Sequence, residues 1–183
     1  MTTGFVLRTP RLVLRPLEAS DWHAVHEYAS DPEVVRYMPW GPNTEEQTHE
    51  FMQRAIVSAA ERPRIKYDFA ITLRDGGRLI GACGIYLRDE RRQAYIGYVL
   101  HRAFWGKGYA TELASALLAF GFGELKLHRI IATCDLLNTA SAHVLEKIGM
   151  RREGVMRQDV WEKGQWRDSL AYAFLAEEWI GHR

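Results

Sequence analysis

Two glycines separated by one residue, Gly106 and Gly108, come just before a stretch that reads as a helix. Such a pair lets successive backbone N–H groups converge with no Cβ between them. The helix adds its unpaired first-turn donors and the positive end of its dipole. That chemistry suits a phosphate or pyrophosphate, with Lys107 and Arg102 as nearby mobile cations. The loop has neither the four-residue gap and Gly-Lys-Ser/Thr of a Walker loop nor the third glycine of the dinucleotide fingerprint. Taken alone, the pattern is equally a tight turn. A second group, Asn138-Thr139-Ala140-Ser141, opens another helix that closes at Gly149. Asn138 reads as its N-cap and Gly149 as its C-cap. Capping does not explain why both helices begin at the same end of adjacent parallel strands, which is where α/β sheets bind ligands.

These groups need a scaffold, and the periodicity supplies one. Residues 12–16 read as a strand closed by Pro16, and Ser20 or Asp21 caps a helix with Trp22, Val25, His26 and Ala29 on one face. Pro32 restarts the chain as a short helical piece towards Tyr37. Thr44 and Gln47 form a capping box for a helix with Phe51, Ala55, Ile56 and Ala59 along its stripe, ending before Pro63. Strands follow at 67–73 and 78–86 around the Asp75-Gly76-Gly77 turn, and at 94–100, where Gly97 permits a bulge or the close approach of a ligand. The glycine loop then opens a helix with Leu113, Ala114, Leu117 and Leu118 facing inward. A strand at 127–134, a helix at 139–148 and a hairpin over 153–161 and 165–175 complete the chain. The pattern is mixed α/β, with residues 1–183 expected to form one domain.

Composition narrows the partners. The chain has 183 residues, with 24 Lys+Arg against 23 Asp+Glu and a net charge of +1, whereas a nucleic-acid footprint normally shows as a strongly basic surface. At 47% hydrophobic residues it can bury a core, and its apolar runs are far shorter than a membrane span. No membrane or nucleic-acid partner is therefore expected, the cytoplasm is the expected location, and a homodimer is left open. Cys83 and Cys134 have no metal-ligand spacing and read as buried, inert thiols, so no metal is expected. His101 and His128 flank strands and read as solvated or satisfied in the core. Trp22, Trp161, Trp166 and Trp179 read as packing residues. The mixed-sign run from Arg88 to Arg92 reads as a solvated turn.

Five stretches in order resemble the Gcn5-related N-acetyltransferase (GNAT) superfamily, and within it the branch of the ribosomal-protein N-terminal alanine and serine acetyltransferases. They are Leu7-Arg8-Thr9-Pro10-Arg11-Leu12, Ala94-Tyr95-Ile96-Gly97-Tyr98, Trp105 to Glu112, Asn138 to Ser141, and Gly164-Gln165-Trp166-Arg167-Asp168. The resemblance implies a central mixed, mostly antiparallel sheet flanked by helices, with a splayed parallel strand pair whose first strand carries a bulge. It implies acetyl-CoA as cosubstrate, its pantetheine arm lying between strands 94–100 and 127–134. The arm would bond main-chain groups at Val99 and Leu100, as an added strand does. Trp105, Gly106, Lys107, Gly108, Tyr109, Ala110 and Thr111 would surround the pyrophosphate, Asn138 would bind the pantetheine, and Ser141 would lie near the thiol. A backbone N–H near Val99 would polarise the thioester carbonyl. Trp40, in the loop that overhangs the acceptor site in the family, and Tyr95 are substrate-contact candidates.

Two departures shape the expected mechanism. Leu145 stands where many relatives carry a tyrosine acid, which leaves Ser141 as the candidate proton donor to the thiolate. Ala94 and Tyr95 stand where many carry a glutamate, which leaves Asp68, Asp135 or a water chain as base. Neither cysteine has a partnered histidine, so direct attack by the amine is expected rather than an acyl-enzyme. An α-amine (pKa about 7.7–8.0) is neutral roughly a few hundredfold more often than a lysine (about 10.4), and it asks less of a base. The expected reaction is therefore acetyl transfer to a peptide or protein α-amine. A small-molecule amine (aminoglycoside, polyamine or amino acid) and a CoA-binding module without turnover are the rival readings.

Overall fold

The computed structural model describes residues 5–88 and 92–180, so Asp89, Glu90 and Arg91 of the charge run lie outside the described residues. Eight strands make one sheet: β1 (Leu7–Arg8), β2 (Leu12–Pro16), β3 (Lys66–Leu73), β4 (Leu79–Arg88), β5 (Gln93–Leu100), β6 (Arg129–Asp135), β7 (Arg151–Glu162) and β8 (Gln165–Leu175). Their spatial order is β1-β2-β3-β4-β5-β6-β8-β7, and every neighbouring pair is antiparallel except β5 and β6. The parallel pair is short: Gln93, Ala94 and Tyr95 face Arg129, Ile130 and Ile131, and no pairing continues beyond them. From that point the two strands diverge into a wedge.

Period-two alternation gives the sheet two apolar faces. Helix α3 (Tyr109–Gly123) covers one, where Leu113, Leu117 and Leu118 are fully buried against Phe69, Ile71 and Ile85. Each such side chain contributes about 1.5–3 kcal/mol of burial. Helix α4 (Thr139–Lys147) joins the same face through Leu145. Helices α1 (Trp22–Ala29) and α2 (Glu45–Ala60) cover the other face, burying Val25, Tyr28, Met52 and Ala55 against Ala70, Ala82 and Val99. A short α5 (Ala176–Ile180) closes the described chain. No described helix is long and apolar enough to cross a membrane.

The capping box forms as its residue types require. Thr44 Oγ1 accepts the Gln47 N–H at 3.2 Å, and Gln47 Oε1 accepts the Thr44 N–H at 2.9 Å. The buried stripe of α2 is rotated from the expected one: Thr48, Met52, Ala55 and Ser58 are buried while Ile56 is exposed. Within that stripe His26 Nδ1 pairs with the Thr48 hydroxyl at 2.9 Å, a polar contact between α1 and α2. Residues 32–37 form successive turns and no helix. Trp161 and Trp166 do not pack in the core; they pair edge to face at the end of the β7–β8 hairpin, 58% and 55% exposed.

Candidate active site

At the wide end of the wedge the glycine loop meets the N-terminus of α3. Gly106 and Gly108 have φ of +72° and +78°, the left-handed region that glycine enters without a Cβ penalty. Gly108 is the N-cap of α3, and the Glu112 N–H is the first to find its helical partner, Gly108 O at 3.2 Å. The N–H groups of Tyr109, Ala110 and Thr111 have no intrahelical acceptor and gather over the loop. The Trp105 indole N–H donates to Leu100 O at 2.8 Å, tying the loop to the end of β5. Neither of the two expected cations is unengaged. Lys107 Nζ donates to Ala103 O at 2.9 Å, and Arg102 pairs with Asp31 at 3.0 Å.

The N-terminal motif braces this loop from across the fold. Glu112 Oε1 accepts from the Thr9 hydroxyl and the Arg11 N–H, and its Oε2 accepts from Arg11 Nε at 2.6 Å. Arg11 Nη1 then donates to Lys107 O at 2.9 Å, and the guanidinium lies 4.5 Å from the centre of the Tyr109 ring. Burial opposes charge on Glu112, but these donors outweigh it and hold the carboxyl below its ordinary value. The motifs at residues 7–12 and 105–112 are thus two halves of one bonded unit.

On the α1/α2 face a cavity of about 670 Å³ opens beside the wedge. Its apolar wall includes Met38, Pro39, Trp40 and Phe51, and its floor is Ala82, Cys83, Gly97 and Val99. β4 and β5 keep one continuous register through Gly97, so this glycine supplies open space and no bulge. Asp68, of β3, also lines the cavity, and its Oδ1 accepts the Tyr86 hydroxyl at 2.7 Å. Tyr86 reaches it by lying along β4 over Gly84, where a Cβ would come 2.3 Å from the phenol oxygen. Burial raises the Asp68 carboxyl above its usual range; the Tyr86 bond, Lys66 and Arg64 oppose that. Sequence reasoning missed Tyr86 and Gly84. Their spacing of two on one strand was the available signal.

Asp135 lies elsewhere. It is buried at the last position of β6, opposite Ser169 of β8, with Oδ1 accepting from the Leu137 N–H and Oδ2 from Arg167 Nε at 2.7 Å. It serves there as a structural ion pair rather than a free base. Tyr95 is outside the cavity lining, where its hydroxyl accepts from Arg88 at 2.7 Å. Trp40 is in the lining. The loop that carries it is fastened to the β7–β8 hairpin by Lys163 Nζ, which donates to Val35 O at 2.5 Å.

Asn138 caps α4, its Oδ1 accepting the Ser141 N–H at 3.1 Å. The Ser141 hydroxyl pairs with the hydroxyl of Tyr98, on β5, at 3.1 Å across the wedge. Tyr98 also borders the cavity, a position sequence reasoning did not single out. Burial pushes the Tyr98 phenol up to about 12, with the Ser141 bond opposing. Burial likewise pushes the Cys134 thiol up to about 11 and raises the Cys83 thiol further, so neither is a ready thiolate. Among the described residues no group of three His, Cys, Asp or Glu could hold a metal ion.

Comparison with known proteins gives the same outline. A family model described as an acetyltransferase (GNAT) domain matches residues 11–151. An uncharacterized N-acetyltransferase of Bacillus subtilis (strain 168) is 42% identical over 173 residues, covering 94% of this chain and 98% of the relative. The crystal structure of a GNAT-family acetyltransferase from Bacillus anthracis superposes with a TM-score of 0.85 at 40% identity, over 95% of this chain and all of that one. The [ribosomal protein uS5]-alanine N-acetyltransferase of Escherichia coli (strain K12) is 24% identical over 185 residues, covering 97% of this chain and 94% of that protein.

Proposed function

The chain belongs to the GNAT family and is an N-acetyltransferase, and from that premise we propose that it acetylates the α-amine of a peptide or protein by direct attack on acetyl-CoA. The observation that carries this reading is Asp68, a carboxylate raised by burial at the wall of the cavity beside the wedge. A raised carboxyl lies closer to an α-ammonium, at about 7.7–8.0, than to a lysine at about 10.4, so taking a proton from the first asks less of it than taking one from the second. Asp68 is the base, and Tyr86 is the residue that positions it. The similarity to a uS5-alanine N-acetyltransferase supports the same acceptor class.

In this reading the pantetheine arm lies in the wedge beside Val99 and Leu100, and the N–H groups from Gly106 to Thr111 hold the pyrophosphate. Trp105 and Glu112 keep that loop in place. Asn138, whose Oδ1 is committed to the cap, turns its amide hydrogens to the arm. A backbone N–H near Val99 polarises the thioester carbonyl, and Ser141 donates the proton to the leaving thiolate. Trp40 faces the acceptor. Residues 1–183 act as one domain, in the cytoplasm.

Glu50 and Arg54 also line the cavity, and Glu50 with Asp68 makes two carboxylates where the loop over residues 37–43 has none. That pair favours a second reading, a small cationic amine as acceptor. CoA release measured over an amine panel separates the two. Turnover is expected with short peptides bearing a free α-amine and is expected to disappear when the α-amine is blocked and only a lysine remains. Turnover on polyamines alone would move the acceptor to the second reading. Saturable CoA binding without turnover on any amine would reduce the protein to a binding module.

A further inference from the structure

The wedge between β5 and β6 contains two hydroxyls that meet across it. Tyr98 comes from β5, three residues past the last parallel pair, and Ser141 from the first turn of α4. Their oxygens are 3.1 Å apart. Tyr98 shares the α3/α4 face with Ile96 and Leu100, and the residue is also among those that line the cavity on the opposite face. It therefore joins the two compartments that transfer would use: the cavity where the amine enters and the wedge where the thiol leaves. Leu145, on the next turn of α4, is buried and has no proton to give.

We infer that Tyr98 and Ser141 form a two-hydroxyl relay that carries a proton from the acceptor cavity to the departing CoA thiolate. The inference rests on the acetyl-transfer reading above but not on which amine is the acceptor. When the tetrahedral adduct collapses, the C–S bond breaks and the electron pair stays on sulfur. Sulfur takes the Ser141 hydroxyl proton, and Ser141 takes the phenolic proton of Tyr98. Tyr98 in turn takes the proton that the amide nitrogen sheds. The proton leaves nitrogen and arrives at sulfur, and both hydroxyls end as they began. Because the transfers are coupled, no standing phenolate is needed, in keeping with a phenol that burial holds in its neutral form.

Tyr98→Phe removes one oxygen and keeps the ring in its packing. With whichever amine the wild type accepts, this variant is expected to lose about tenfold to a hundredfold in kcat while CoA affinity stays within about twofold. Ser141→Ala should lose a similar factor, and the double variant should lose no more than the worse single one, because a broken relay cannot be broken twice. The rate plotted against deuterium fraction in the solvent should be curved for the wild type and straight for Tyr98→Phe, a signature that a packing defect would not produce. Wild-type kcat in Tyr98→Phe would overturn the relay, as would losses that multiply in the double variant. A failure of the α-amine reading would appear separately, as turnover on a different amine, and would leave this measurement intact.

Discussion

Gly108→Val is expected to bind CoA roughly fivefold to thirtyfold more weakly than the wild-type protein, since a loop that leaves the left-handed region to shed about 1–2 kcal/mol of side-chain strain must regain it to present its N–H groups to the cofactor. Valine is a severe choice because a β-branched side chain is an outlier at positive φ, and Gly108 has φ +78°. Its Cβ would also come into van der Waals contact, at 3.4 Å, with Arg11 Nη2, on the side chain whose Nη1 holds Lys107 O. Relief of the backbone strain is expected to turn the first N–H groups of α3 away from one another. Titration calorimetry with CoA measures the loss. Gly76→Val is the control: Gly76 has φ +79° with nothing within 4 Å, in the turn between β3 and β4. It should lose stability and keep CoA affinity. Wild-type affinity in Gly108→Val would remove the loop from the cofactor site.

Asp68→Asn is expected to lower kcat about a hundredfold or more, the usual range for a general base being about 10²–10⁴. The substitution keeps the shape of the side chain and an oxygen that can accept the Tyr86 hydroxyl bond. Stability is not expected to fall. Because burial raises the folded-state pKa of Asp68, that group favours folding below its ordinary value and loses this contribution as pH rises through the raised one. Once Asp68 is ionised the wild type holds a desolvated charge, and the asparagine variant does not. Its melting temperature should equal or exceed that of the wild type while its activity collapses. The base must be ionised, so wild-type kcat/KM should fall as pH drops through the raised pKa, and this acid limb should disappear in Asp68→Asn. Tyr86→Phe deletes a bond that favours the carboxylate, so it should shift the limb to higher pH. An unchanged pH profile in both variants would move the base elsewhere.

The local devices were legible because their causes are local. The capping box at Thr44 and Gln47 and the strand at residues 12–16 needed only neighbouring residues, and both form as read. The glycine loop before α3 was legible for the same reason, since positive φ is a property of the residue type. The register of α2 was not, because its buried face meets another helix, as where Thr48 pairs with His26 of α1. Trp161 and Trp166 have the composition of core residues, but they lie at the end of the β7–β8 hairpin, exposed and paired with each other. Asp68 could be nominated as one acid among several. Its difference from Asp135 depends on which of them meets an arginine, and Arg167 lies on β8, remote from both in the chain until β8 pairs with β6.

The sequence by itself determined most of the elements, the glycine loop before α3, the near-neutral net charge and the family. Each of these depends on residue type and spacing along the chain. Only the tertiary structure decided how the elements meet. It ended the parallel pairing of β5 and β6 after three residues and so opened the wedge. It joined Thr9 and Arg11 to Glu112 beneath the loop, and laid Tyr86 over Gly84 to reach Asp68. It also set the hydroxyls of Tyr98 and Ser141 against each other. Hydrogen bonds act over about 3 Å and are blind to separation along the chain, so such pairings exist only once the sheet has fixed its order and register.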